Sequence, residues 1–71
     1  MFFSDYKRAF DILSSVVDTA SICLKLVTHS VDGKYIVFTT TNPDIRYYVE
    51  VKTGRVTVKN DIDKSVVEFL N

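Results

Sequence analysis

From Ile22 to Lys59 the apolar residues of this chain recur at every second position, in four runs separated by three stretches that read as turns. Period two is the repeat of a β-strand, whose successive side chains leave opposite faces of a sheet. The runs are "ICLKLVTH", "KYIVFTTT", "IRYYVEVK" and "VTVK", and the turns are "VDGK", "TNPD" and "KTGR". β-Branched and aromatic residues fill the runs, and Gly, Asn, Asp and Pro fill the turns, as strand packing and turn geometry respectively demand. This pattern predicts a four-stranded antiparallel meander.

Before and after the meander the spacing becomes helical. Ser4 can cap a helix start, and Asp5 sits where the helix dipole favours an anion. Tyr6, Ala9, Phe10, Leu13, Val16, Val17 and Ala20 then form one stripe, with Lys7, Asp11, Ser14 and Asp18 opposite, so a helix is expected to run to about Thr19. Asn60 reads as a second cap, with Asp63 three residues on, and Ile62, Val66, Val67, Phe69 and Leu70 read as a short amphipathic helix. The predicted fold is α+β, one domain over residues 1–71, in the order αββββα. Both helices would lie on one face of the sheet as a two-layer sandwich.

Register follows from keeping the apolar positions together, because a slip of one residue turns a whole strand over. A three-residue loop Val31-Asp32-Gly33 sets Leu26 opposite Phe38 and Leu24 opposite Thr40. An even loop over Thr41 to Asp44 sets Phe38 opposite Tyr47 and Ile36 opposite Val49, and a Thr53-Gly54 loop sets Val51 opposite Val56. One face then carries Ile22, Leu24, Leu26, Ile36, Phe38, Tyr47, Val49, Val51, Val56 and Val58. The other displays Cys23, Lys25, Val27 and His29, then Tyr35, Val37 and Thr39, then Arg46, Tyr48, Glu50 and Lys52, then Arg55, Thr57 and Lys59.

The chain has 71 residues, so it buries only about 60% of its unfolded surface and its core must be small. Its single cysteine, Cys23, excludes an internal disulfide, and Asp5, Lys7 and Arg8 interrupt the N-terminal apolar residues, which together predict a cytoplasmic setting. No apolar run approaches the roughly 20 residues of a membrane-spanning helix, so no membrane partner is expected. A net charge of zero argues against a strongly basic nucleic-acid binder and against an acidic DNA mimic. That zero hides a polarity: residues 21–59 hold six Lys or Arg against three acids, while the two ends are net acidic.

Few groups suit chemistry. "SDYK" at 4–7 and "KTG" at 52–54 resemble two of the three motifs of penicillin-binding proteins and class A β-lactamases, which would make Ser4 a nucleophile activated by Lys7. The third motif, Ser-Asp-Asn, is missing and the chain is several-fold too short for that fold, so Ser4 is read as a cap and Gly54 as a turn residue. His29 and Cys23 are the only strong nitrogen or sulfur ligands, against the about four that a structural zinc wants. Six residues apart on one strand they stand roughly 20 Å from each other and cannot form a nucleophile and base pair. With two glycines, both in turns, there is no phosphate loop. No cofactor, metal, small-molecule substrate or catalytic activity is therefore expected.

What remains is the polar face of the sheet. Its Lys, Arg and Thr are equally what an open antiparallel face needs for solvation alone, whereas Tyr35, Val37, Tyr48 and Val27 are side chains that solvent alone does not call for. The expected docking surface is Tyr35, Val37, Arg46, Tyr48 and Arg55, or an exposed edge strand. Tyr and Arg dominate the centres of protein interfaces. They also build platforms on which single-stranded nucleic acids stack. Glu50 in the middle of the face and the modest positive excess favour a protein partner, or a second copy of the chain, over nucleic acid. Salt would separate the two, because phosphate contacts weaken steeply with ionic strength. The segment "YYVEVKTGRVTV" resembles the strand-turn-strand end of PepSY-type small domains, over 12 of 71 residues, and implies no more than a hairpin. In size and lack of catalytic groups the chain is similar in type to small accessory or inhibitor proteins of bacteriophages, which act by docking on a host protein.

Overall fold

The computed structural model describes residues 3–42, 44–60 and 67–71. Among these residues one helix, α1 (Phe3–Ser14), is followed by five strands: β1 (Leu24–His29), β2 (Ile36–Thr40), β3 (Ile45–Glu50), β4 (Arg55–Asn60) and β5 (Val67–Phe69). The strands form a single antiparallel sheet in the order β1-β2-β3-β4-β5. The α+β class stands, with a meander longer by one strand than the sequence predicts.

The core lies between α1 and one face of the sheet. Ala9 and Leu13 from the helix meet Ile36 and Phe38 of β2, Val49 of β3 and Val56 of β4 in one buried cluster. Tyr6, Ile12, Val16, Val17, Ile22, Leu24, Tyr47, Val51 and Leu70 pack around it. Phe10, on the flank of the helix, meets Phe38 with ring centroids 6.5 Å apart.

The helix begins at Phe3, so Ser4 lies inside its first turn, and it ends at Ser14 rather than near Thr19. Beyond Ser14 the backbone tightens before it leaves: the Ser15 and Val16 N–H groups donate three residues back, to the Ile12 and Leu13 carbonyls at 3.2 and 3.1 Å, and the Ser15 hydroxyl also donates to Ile12 at 2.6 Å, so these end carbonyls are met locally. β-Branched Val16 and Val17 then favour leaving the helix. Asp18 closes the exit, its carboxylate accepting from the Ala20 N–H at 3.2 Å.

The predicted second helix is corrected where the structure describes it: Asn60 is the last residue of β4, and Val67–Phe69 is a strand that pairs with β4, Thr57 opposite Phe69 and Val58 opposite Glu68; the predicted helical positions Ile62 and Val66, with Asp63, lie outside the described residues. A short apolar run such as "VVEFL" fits either period, and here the unpaired edge of β4 offers backbone partners that a helix would leave unused. Asn71 extends the ladder with its side chain: its Oδ1 accepts from the Val56 N–H at 2.8 Å and its Nδ2 donates to the Gly54 carbonyl at 2.7 Å. Leu70 thereby reaches the core side, its N–H donating to the Val56 carbonyl at 2.9 Å.

Three registers can be compared with expectation. Between β2 and β3 the pairs Phe38 with Tyr47 and Ile36 with Val49 are those the even Thr41–Asp44 loop predicts. Between β3 and β4, Val49 pairs with Val56 and Glu50 with Arg55, two residues away from the predicted Val51 with Val56. The loop is four residues, 51–54, closed by the Gly54 N–H donating to the Glu50 carbonyl at 2.7 Å with Gly54 at φ +79°. A shift of two preserves which face each residue occupies. Between β1 and β2, Leu24 does pair with Thr40, but a bulge follows, and Leu26 pairs with Thr39 and Val27 with Phe38. The bulge turns the rest of β1 over, so Leu26 and Thr28 join the polar face while Val27 and His29 move to the helix side. Cys23, at the entry to β1, is exposed at φ +51°.

Candidate functional site

The face of the sheet away from α1 carries no covering layer among the described residues. Cross-strand pairing lines up its side chains in rows: Thr28, Val37, Tyr48, Thr57 and Phe69 in one, and Leu26, Thr39, Arg46 and Lys59 in the next. All five residues singled out from the sequence, Tyr35, Val37, Arg46, Tyr48 and Arg55, occupy this face. Tyr35, Val37 and Tyr48 are half-buried by one another and by their neighbours, while Arg46 and Arg55 are exposed.

Each aromatic ring on the face has a cation beside it. Tyr35 and Tyr48 meet edge to face with centroids 6.1 Å apart. The Lys59 ammonium lies 4.5 Å from the centre of the Tyr48 ring, the Arg55 guanidinium 5.2 Å from that of Phe69, and the Lys34 ammonium 5.5 Å from that of Tyr35. Such contacts contribute about 0.5–1 kcal/mol each at exposed sites and fix where the charge stands. Lys34 also pairs with Glu50 at 3.5 Å. The Glu50 carboxylate is held below the usual carboxylate range chiefly by the Thr53 hydroxyl and further by Lys34, while Tyr35 and then the Glu50 carboxylate raise Lys34.

The sequence pattern predicts Phe69 on a helix and Leu26 in the core, yet they are 60% and 59% exposed, on the open face. The adjacent apolar pair Leu26-Val27 was the available signal, since two neighbours in a regular strand cannot share one face. Between Tyr35, Tyr48, Lys59 and Phe69 lies a hollow of about 220 Å³ whose floor is Thr57, 7% exposed although it is on the open side.

A larger groove of about 580 Å³ runs between the first helical turn and the hairpin tips, bordered by Asp5, Arg8, Lys34, Glu50 and Lys52. It joins the neighbourhoods of "SDYK" and "KTG", but Thr53 serves its own hairpin, donating to Glu50 and accepting from the Arg55 N–H at 3.3 Å. Among the described residues no three His, Cys, Asp or Glu side chains are grouped to hold a metal ion. No described helix is long and apolar enough to cross a membrane. No protein-family model, curated protein or solved structure matches this chain.

Proposed function

We propose that this protein is a non-catalytic binding module that docks on a protein partner through the open face of its sheet, in the manner of a small accessory or inhibitor protein. The observation that carries this reading is the aromatic row with its attendant cations. Tyr and Arg bury much area while keeping a polar tip satisfied, which is why interface centres favour them. The two exposed apolar residues added by the structure, Leu26 and Phe69, enlarge the area a partner can bury. Nucleic-acid stacking is disfavoured because the Tyr48 and Phe69 rings already have Lys59 and Arg55 over them. A base would have to displace those cations, whereas a carboxylate can meet them where they stand.

Photo-crosslinking tests the reading. Benzoylphenylalanine at position 37, at the centre of the face, is expected to give a discrete protein adduct in an extract of the cells that make the protein, insensitive to nuclease. Tyr48→Ala with Arg46→Ala should abolish the adduct while circular dichroism shows folding intact. The same probe at position 11, on the helix, should give none. An adduct that survives the double substitution, or that disappears with nuclease, removes the open face as a protein interface.

A further inference from the structure

Resting on that reading, we propose that the segment received is an extended peptide with one bulky apolar side chain flanked, two residues before and two after, by carboxylates. The motif is written along β4. Arg55, Thr57 and Lys59 share the open face at two-residue steps, so the cations stand on either side of Thr57 and their Cα atoms are about 14 Å apart at about 3.4 Å per residue. An extended peptide repeats its same-side residues at the same interval. An apolar residue seated over Thr57 therefore brings positions two before and two after it level with Arg55 and Lys59.

The hollow over Thr57 suits a side chain rather than a free ligand. At about 220 Å³ it is smaller than the pockets of about 300–1,000 Å³ that hold small molecules, and aromatic rings wall it. Among the described residues neither Arg55 nor Lys59 has a carboxylate within 4.0 Å; Glu50, which stands opposite Arg55 and feels its charge, gives its short contacts to Lys34 and Thr53. Each of the two cations is instead propped on a ring, which orders its long side chain before the partner arrives and lowers the entropic cost of pairing.

Two fluorescein-labelled peptides of one composition test the register. One has Glu-Thr-Phe-Thr-Glu at its centre and the other Thr-Glu-Phe-Glu-Thr, which turns both carboxylates to the side opposite the Phe. Fluorescence anisotropy is expected to show the first binding at least about tenfold more tightly, about 1.4 kcal/mol. Lys59→Gln with Arg55→Gln, at two exposed positions, should bring it down to the level of the second. Ring signals of Tyr48 and Phe69 should shift in NMR spectra when the first is added. Equal binding of both peptides, lost with Tyr48→Ala and Arg46→Ala, overturns the register proposal and leaves the protein-docking face standing. No binding of either peptide also overturns it, with the docking face then judged by the crosslinking. Tighter binding of an oligothymidylate than of both peptides overturns the two readings together.

Discussion

Cys23 is the residue most at odds with its backbone: at φ +51° it occupies the left-handed region, where a Cβ crowds the following carbonyl at a cost of about 1–2 kcal/mol. Cys23→Gly is expected to raise stability by about 0.5–1 kcal/mol, after allowing for the greater freedom of glycine in the unfolded chain, as read from urea unfolding. The reverse holds at Gly54, φ +79°, where Ala should destabilise by about 1 kcal/mol although nothing lies within 4 Å of the added methyl. Asp32 accepts from the Ser30 hydroxyl at 2.6 Å and the Lys34 N–H at 3.0 Å, and these bonds hold its carboxyl below the ordinary 3.8. Glu50 is likewise held below its ordinary 4.5. Both groups bind fewer protons folded than unfolded, so their contribution is complete above those ordinary values and is lost as pH falls through the lower folded ones. Melting temperature should therefore fall on acidification in that window, and Asp32→Asn should flatten the fall. That Asp-Gly makes a turn is legible in the sequence because its residues act locally, but the loop is four residues, 31–34, where three were expected, since the Ser30 N–H donates to the Tyr35 carbonyl and His29 pairs with Ile36. The positive φ of Cys23 is not legible, because it belongs to the entry of a bulged strand.

At the scale of elements, what the sequence disclosed depended on parity. The face assignments of β2, β3 and β4 follow from alternation, and they tolerate the two-residue error in the β3–β4 hairpin because two steps restore the face. A bulge is an odd insertion, so on β1 one extra residue at Lys25 reversed everything after it. β5 was hidden for another reason: three residues are too few to display a period, and the partner that decides their conformation is β4. Asn71 is what ties that strand down, through bonds of 2.8 and 2.7 Å to the β3–β4 hairpin. Asn71→Ala is expected to cost about 1–2 kcal/mol. Hydrogen exchange should then speed up at Val56 and in β5, with β2 and β3 unchanged. Uniform acceleration across the sheet would mean instead that β5 is not a separable unit.

For the whole molecule, the buried core among the described residues is six side chains, and small domains have about 0.05–0.15 kcal/mol of stability per residue. Leu13→Ala, the loss of a completely buried leucine, is expected to cost about 2–5 kcal/mol, a large share of that total, and circular dichroism should show much of the population unfolded in mild urea. Each described strand hydrogen-bonds to its neighbours in sequence, so the contacts of the sheet are local along the chain and it should assemble quickly. The helix is different. Ala9 and Leu13 are made before every strand that covers them, and the cluster that buries them is complete only when Val56 has been added. At a synthesis rate of about 5–20 residues per second, the helix waits seconds for the last of its partners. Its burial is thus timed by synthesis across the whole meander, whereas each hairpin can close as soon as its second strand is made.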